Sequence, residues 1–118
     1  MASTKDVIDH HLTAFGAGDL DEVMSDYASD AVMFMPDTTV KGSAAIRPIF
    51  QAMFAEFAKP GATFELLHQA FDGEYCYQRW RAETADNLYD AATDSFVVHA
   101  GQIVAQSFNA VITPKGKS

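Results

Sequence analysis

Apolar residues recur at helical spacing through the first half of the chain and in strand-like runs through the second half. Ser3 stands three residues before Asp6, as in a helix capping box. The apolar stripe that follows has helical spacing and comprises Val7, Ile8, Leu12 and Phe15. His11 lies on the same face, and the glycine-rich residues 16–18 predict the end of this first helix.

Two further amphipathic segments predict helices. Asp19 is expected to cap a second helix that ends near Asp30, with a stripe of Leu20, Val23, Met24 and Tyr27. Ser43 is expected to cap a third, whose stripe comprises Ile46, Ile49, Phe50, Met53, Phe54 and Phe57. Pro48 lies inside that segment and predicts a kink or a delayed start, because proline has no backbone N–H to donate. Between these helices, residues 31–35 predict a short strand and residues 38–40 an extended arm.

Strand patterns fill the chain beyond Gly61. Residues 63–71 and 74–84 flank Asp72-Gly73, a strong hairpin signal, and residues 88–112 predict two long strands joined by a tight turn at residues 99–102. Three helices followed by a mostly antiparallel sheet predict an α+β fold. Because long strands curl when they twist, we expect the helices on a concave face that encloses an apolar interior. The expected domain spans residues 1–113, with a disordered tail at 114–118.

Composition narrows the class of protein. The chain has 118 residues, 48% of them hydrophobic, which indicates one compact domain. Nine Phe and five Met suit a core wrapped around a cavity, since methionine adapts to irregular gaps, although a plain packed core fits equally well. The net charge of −8 and the lack of a basic patch argue against binding to nucleic acid or to an anionic membrane. A single cysteine, no signal-peptide pattern and no membrane-length apolar run predict a cytoplasmic protein.

Two residues carry candidate chemistry. Asp94 stands in a strand among apolar neighbours, so its carboxylate points either into solvent or into an apolar cavity, where desolvation would raise its pKa. The alternative is a structural carboxylate bonded to the backbone or to Trp80. His11, on the apolar face of the first helix, could donate to a ligand or exchange a proton with Asp94. The sequence has no HxH or HExxH motif, no Cys cluster, no GxSxG motif and no phosphate-binding loop, so we expect no metal and no cofactor.

The sequence does not decide which face of the strand around Trp80 points toward the concave side of the sheet. If the face with Gln78 and Trp80 is concave, these residues line a pocket, and Arg79 and Arg81 face outward. If the phase is reversed, the two arginines meet the ligand and an acidic substrate becomes plausible, because a one-residue shift exchanges the faces of a strand.

The ordered motifs AFGAGDLDEV, YASDAVMFMPD, KGSAAIRPIF, RWRAETADNLYD and TDSFVVHAGQIVAQSF span most of the chain. In this order they resemble the nuclear-transport-factor-2-like superfamily, in its SnoaL-like and ketosteroid-isomerase-like branch. The resemblance implies a cystatin-like, cone-shaped α+β barrel with a pocket between the helices and the sheet. It also implies a homodimer formed through the outer sheet face.

The same resemblance allows a comparison with the family's chemistries. Asp94 corresponds to the proton-donating Asp of the ketosteroid isomerases, but Met35 stands at the position of the base and His11 at that of the Tyr, which disfavours steroid isomerisation by that mechanism. Epoxide-hydrolase chemistry would need an Asp-Arg-Asp set, for which Asp90, sharing a face with Asp94 by strand parity, is a weak third member. The histidines that a scytalone-dehydratase-like site would pair are scattered over His11, His68 and His99.

The sequence therefore predicts a protein that binds a mostly apolar small molecule, cyclic or polyketide-like in character. Isomerisation, cyclisation or dehydration would use Asp94 as acid/base with assistance from His11. The alternative is a non-catalytic ligand-binding or dimerisation module of the same fold. The expected pocket lining comprises Phe15, Tyr27, Met33, Met35, Phe50, Phe54, Trp80, Phe96 and Phe108.

Overall fold

The computed structural model describes residues 2–116, which form three helices and six strands. In chain order these are α1 (Thr4–Gly16), α2 (Leu20–Ser25), β1 (Tyr27–Met35), β2 (Thr38–Lys41), α3 (Ser43–Phe57), β3 (Thr63–Asp72), β4 (Tyr75–Glu83), β5 (Asn87–His99) and β6 (Gln102–Pro114). Helices therefore occupy the first half and long strands the second, as the hydrophobic pattern predicts. Among these residues, none of the helices has the length and apolar character needed to cross a membrane.

The start of α1 follows from its local sequence. The Ser3 hydroxyl accepts a hydrogen bond from the Asp6 N–H at 3.1 Å, and the Asp6 carboxylate accepts one from the Ser3 N–H at 3.3 Å. This capping box satisfies two backbone donors that would otherwise have no partner. The inward face of the helix buries Val7, Ile8, His11 and Ala14.

The second helix is shorter than its apolar stripe predicts. It ends at Ser25, and Tyr27 begins β1, where it pairs with Ile103 of β6. The Ile103 N–H donates to the Asp26 carbonyl at 2.7 Å. The prediction that the helix reaches Asp30 is therefore wrong, because pairing with a distant strand overrides a short periodic pattern. Tyr27 remains buried, but as a strand residue.

The third helix begins at Ser43 with Gly42, at φ +91°, as its cap residue. Ser43 is thus the first helical residue and not the predicted cap, and its side chain makes no capping bond. Glycine is suited to the cap position because it adopts a positive φ without a Cβ clash. Pro48 lies within the helix and removes one backbone donor, but it does not delay the start.

The six strands form one mixed sheet in the order β2-β1-β6-β5-β4-β3. The pairing of β1 with β6 is parallel, and the other neighbours are antiparallel. The β5–β6 turn carries Ala100 and Gly101 at φ +52° and +77°, the left-handed geometry of a tight hairpin. Register shifts in β3–β4, β4–β5 and β5–β6 mark bulges, which bend strands and increase their twist.

The α+β prediction is confirmed at the level of helices packed on a curved mixed sheet. The sheet, which was expected to form a cone-shaped barrel, is open among the described residues, because β2 and β3 lie at opposite edges and do not pair. The sheet also extends further than predicted at its C-terminal end. Pro114 pairs with Asn87, and the Lys115 N–H donates to the Asp86 carbonyl at 2.9 Å, so ordered structure passes the expected boundary at residue 113. The last two residues of the predicted tail, 117 and 118, lie outside the described residues.

The burial pattern of β4 decides the strand phase that the sequence left open. Gln78 and Trp80 are buried on the concave face, whereas Arg79 and Arg81 are exposed on the opposite face. The helices cover only the concave side, so the apolar residues of the alternation must face them. Arg79 and Arg81 therefore do not line a ligand site on the concave face.

Candidate functional site

A cavity of about 590 Å³ lies between the helices and the concave face of the sheet. Its wall contains seven of the nine predicted lining residues, together with His11 and Asp94: Phe15, Met33, Met35, Phe50, Phe54, Trp80 and Phe108. Side chains that the sequence did not single out complete it, including Met53, Phe57, Phe64 and Tyr89. The cavity is mostly aromatic and apolar, and its polar groups come mainly from the sheet.

Two predicted lining residues lie in the core behind the cavity. Tyr27 and Phe96 are buried, and their ring centroids lie 5.8 and 5.5 Å from that of His11. They are therefore not among the residues that line the cavity, and the His11 ring, which does line it, contacts both of them edge to face.

Asp94 lies in the cavity wall and accepts three hydrogen bonds. Trp80 Nε1 donates to Oδ2 at 2.8 Å, Gln78 Nε2 donates to the same oxygen at 3.2 Å, and Gln106 Nε2 donates to Oδ1 at 3.2 Å. These donors stand on β4 and β6, the two neighbours of β5 in the sheet, and Gln78 pairs directly with Asp94. The two readings of Asp94, a residue bonded to Trp80 and a residue facing a cavity, are both realised.

Two outer hydrogen bonds orient the amides that hold Asp94. The Tyr27 hydroxyl donates to Gln106 Oε1, and Gln69 Nε2 donates to Gln78 Oε1 at 3.1 Å. Because each carbonyl oxygen is occupied by an outer donor, each amide N–H group points toward the carboxylate. A polar chain therefore runs from Gln69 through Asp94 to Tyr27 inside an otherwise apolar core.

Burial dominates the electrostatics of Asp94. The residue is only 6% exposed, and desolvation raises the pKa of its carboxyl. The hydrogen bonds from Gln78, Trp80 and Gln106 act in the opposite direction but do not cancel the effect. A carboxyl with a raised pKa gives up and regains its proton closer to neutral pH than an exposed one.

His11 presents an unusual polar atom to the interior. The side chain is 5% exposed, and its Nδ1 is buried with no hydrogen-bond partner among the described residues. Burial, and to a lesser degree the neighbouring His10, lowers the pKa of His11 to about 4. The imidazole is therefore neutral at neutral pH, and its Nδ1 is enclosed by protein atoms.

His10 has a separate structural role. Its Nδ1 lies 2.8 Å from both carboxylate oxygens of Asp26, and its Nε2 lies 3.0 Å from Glu22 Oε1. The hydrogen bonds to Asp26 and then Glu22 raise the pKa of His10. This link joins α1 to α2 and to the start of β1.

A second polar cluster lies near the other end of the cavity, where Tyr89 forms part of the wall. Glu56 of α3 accepts hydrogen bonds from the Thr84 hydroxyl at 2.6 Å, Asn87 Nδ2 at 3.0 Å and the Tyr89 hydroxyl at 2.9 Å. Burial alone would raise the pKa of Glu56, but these three bonds outweigh it and lower the pKa. Sequence reasoning missed this cluster because its members stand 28 to 33 residues apart.

The structure does not bring together the residues that epoxide-hydrolase-like or scytalone-dehydratase-like chemistry would need. Asp90 is exposed, because a bulge in β5 at Ala91, which has φ +49°, changes the strand phase between Asp90 and Asp94. The prediction that Asp90 and Asp94 share one face of the strand is therefore wrong. His68 and His99 are also exposed. Within residues 2–116 we find no group of three or more His, Cys, Asp or Glu side chains arranged to hold a metal ion.

Comparisons with solved structures support the same fold. The chain is similar to a putative polyketide cyclase from Sinorhizobium meliloti, at 23% identity and a TM-score of 0.74 over 88% of this chain and 94% of the other. It is similar to an NTF2-like protein of unknown function from Mesorhizobium loti, at 21% identity and a TM-score of 0.78 over 92% and 90% of the two chains. It is also similar to a putative ketosteroid isomerase from Kribbella flavida, at 13% identity and a TM-score of 0.76 over 98% and 82%. Such low identities establish a shared fold and not a shared activity.

No curated protein matches the chain. The family described as the SnoaL-like domain, however, matches residues 8–106, which include most of α1, the Asp94 network and most of the cavity wall. This match shows that the chain belongs to the SnoaL-like domain family.

Proposed function

We propose that this protein binds a mostly apolar small molecule in the cavity and that Asp94 acts there as a general acid/base. The observation that carries the proposal is a buried carboxyl with a raised pKa in the wall of an aromatic cavity. Few polar groups in an apolar cavity of this size are typical of small-molecule sites. Perturbed carboxyls in such cavities are markers of function.

The proposed step is a proton transfer on carbon. Asp94 accepts a proton from a carbon next to a carbonyl group. It returns that proton to another carbon in isomerisation, to the oxygen of a second carbonyl group that the carbanion attacks in cyclisation, or to a hydroxyl group that leaves as water when its C–O bond breaks in dehydration. Trp80 holds the carboxylate in place through its 2.8 Å hydrogen bond. The neutral His11 imidazole, which lies in the cavity wall, is proposed to assist by binding a ligand oxygen. Met35 lines the cavity where the ketosteroid isomerases carry their base, so the proposal uses Asp94 alone for proton transfer.

The names of two structural neighbours, a putative polyketide cyclase and a putative ketosteroid isomerase, support this reaction class by analogy. The test is a screen of hydrophobic ketones, enones and epoxides against the wild type, Asp94→Asn and the exposed control Asp90→Asn. General acid/base groups contribute on the order of 10²- to 10⁴-fold to rates, so Asp94→Asn should lose at least ~100-fold while the control keeps full turnover. Turnover that survives Asp94→Asn unchanged would refute the catalytic role.

A second candidate is a non-catalytic binding module. It is favoured by the three hydrogen bonds that already occupy the Asp94 carboxylate, and by the uncharged Met35. A ligand that binds with the same affinity to wild type and Asp94→Asn, and that remains chemically unchanged over hours with both, would support this candidate over catalysis.

We also propose a homodimer through the outer face of the sheet. That face exposes Phe34, Tyr75 and Tyr77. These three residues and Val97 line a depression of about 460 Å³. Exposed apolar patches of this kind mark association surfaces. Sedimentation at micromolar concentration should show about twice the 12.9 kDa mass of one chain, whereas a single 12.9 kDa species would refute the dimer. The cytoplasmic location stays a prediction.

A further inference from the structure

The charge balance of the cavity points to a property of its ligand. Among the described residues that line the cavity, Asp94 has the only carboxylate, and the wall holds no Lys or Arg. The arginines nearest in sequence on β4, Arg79 and Arg81, face the opposite side of the sheet. His11 is neutral at neutral pH. An ionised Asp94 therefore has no compensating positive charge in the cavity.

The hydrogen bonds to Asp94 do not supply that charge. Its three donors are two neutral amides and a neutral indole, on Gln78, Gln106 and Trp80. They satisfy lone pairs and hold the carboxylate in one orientation. Buried carboxylates are usually paired with a cation or neutralised by a proton, because an isolated buried charge is costly. Here a cation would have to come from the ligand.

The surroundings of the carboxylate also favour a cation. The Trp80 ring, whose N–H contacts Asp94, lies with its centroid 5.4 Å from that of Phe64, 5.7 Å from Tyr89 and 6.0 Å from Phe108. All four rings belong to the cavity wall. Aromatic faces attract cations within about 6 Å, most strongly when the cation is desolvated and when the ring is tryptophan.

We propose that the ligand of this cavity carries one basic nitrogen, so that a protonated amine pairs with Asp94 while its apolar body packs against the aromatic wall. The inference rests on the proposed function only in requiring that the cavity binds an apolar molecule; it does not require catalysis. The chemical class is a compact or polycyclic apolar amine with a single positive charge.

Binding of an amine should also release a proton from the protein. Because burial raises the pKa of Asp94, more of the free protein holds a neutral carboxyl at a given pH than an exposed aspartate would. Binding of an ammonium ion to that fraction forms an ion pair and releases the Asp94 proton to solvent. The titratable groups that face Asp94 from the neighbouring elements stay neutral: Tyr27 of β1 has a pKa raised well above its ordinary value by burial, and burial raises the pKa of Cys76 of β4 to about 11. His11 of α1 is neutral as well.

The experiment uses three rigid, non-fluorescent probes of similar shape: 1-aminoadamantane, 1-adamantanol and 1-adamantanecarboxylate. Trp80 is the only tryptophan in the chain and its N–H donates to Asp94, so its fluorescence reports occupancy of this end of the cavity. Bonds to charged groups contribute ~1.5–3 kcal/mol, which corresponds to roughly 10- to 150-fold in affinity. We expect the amine to bind at least ~10-fold more tightly than the alcohol at pH 7.5, and the carboxylate to bind most weakly.

Two variants locate the effect. Asp94→Asn should reduce the preference for the amine over the alcohol to less than about threefold, whereas Asp90→Asn, an exposed acid on the same strand, should leave it intact. If Asp94→Asn does not fold, calorimetry of the wild type in two buffers of different ionisation enthalpy replaces it. Proton release with the amine but not with the alcohol would then support the ion pair.

The outcomes separate this inference from the proposed function. Alcohol binding as tight as amine binding, or carboxylate binding tighter than both, would overturn the amine inference while leaving an apolar site in place. Failure of all three probes to bind by both fluorescence and calorimetry would overturn the inference and count against the proposed apolar site.

Discussion

Replacing His11 with leucine removes a buried imidazole whose charged form the protein interior does not accommodate. Its ring contacts those of Tyr27, Phe50 and Phe96 edge to face, and its Nδ1 has no hydrogen-bond partner among the described residues. Protonation of the folded protein at this position would place an unpaired charge in an aromatic core. The folded state therefore resists protonation, whereas the unfolded state takes up the proton near its ordinary pKa.

The size of the effect follows from the two pKa values. Burial lowers the pKa of His11 from 6.5 to about 4. A depressed folded pKa means that the stabilisation is complete above pH 6.5 and is lost as the pH falls toward 4. The difference of about 2.5 units corresponds to ~3 kcal/mol in full, of which ~2 kcal/mol is lost between pH 7 and pH 5. Leucine carries no such dependence, although it changes the packing by an amount that does not vary with pH.

The assay is urea unfolding followed by Trp80 fluorescence at pH 7 and pH 5, at one fixed protein concentration because association would shift the midpoint. The stability of the wild type relative to His11→Leu should fall by ~2 kcal/mol between these two pH values, with unchanged denaturant slopes. His10→Gln is the matched control, because the pKa of His10 is raised and its contribution to stability is lost as the pH rises. A wild-type minus His11→Leu difference that stays constant within ~0.5 kcal/mol would refute the assignment of His11 as a buried neutral histidine.

Three further predictions concern stability. Asp94→Asn should gain stability relative to the wild type as the pH rises. Because the pKa of Asp94 is raised in the folded protein, its neutral carboxyl stabilises the fold at low pH and loses that contribution on ionisation. Melting temperatures measured from pH 4 to 8 test this, and a difference between the two proteins that does not change with pH would contradict it. Glu56→Ala removes an acceptor shared by three part-buried donors and should cost ~1–3 kcal/mol in urea unfolding, against less than ~0.5 kcal/mol for the exposed Gln51→Ala on the same helix. Ala100→Gly relieves a positive φ in the β5–β6 turn and should stabilise by ~1 kcal/mol, visible as a higher melting temperature; a lower one would show that the turn is not strained.

Local signals account for the parts of the fold that sequence predicted well. The Ser3 capping box sets the start of α1, and the Ala100-Gly101 turn joins β5 to β6. Tertiary interactions account for the errors. Pairing of Tyr27 with β6 ends α2 early, and the bulge at Ala91 turns Asp90 away from the cavity. Neither effect can be read from hydrophobic periodicity, because both depend on how β6 pairs with its neighbours in the sheet.

The candidate site was predictable where a polar residue stood among apolar neighbours in the sequence. Asp94 in an apolar strand and His11 on an apolar helix face both stand out for that reason, and both lie in the cavity wall. Gln78 and Gln106, which hold the carboxylate, did not stand out as a pair, because an amide in an alternating strand is common. Their function depends on partners up to 79 residues away. Which amide faces which oxygen becomes visible only once β4, β5 and β6 are placed side by side.

The position of β6 in the sheet also affects how the chain can fold during synthesis. This strand comes last of the six in the sequence, yet it lies between β1 and β5 and makes the only parallel pairing among the described strands. Until residues 102–114 are free to pair, β3, β4 and β5 can pair with one another, but β1 and β2 can pair only with each other. The apolar faces of the helices then remain without their final partner, and long-range pairings of this kind are slow to form. Before β6 emerges, the exposed edges of β1 and β5 are the surfaces most at risk of misassociation between neighbouring chains.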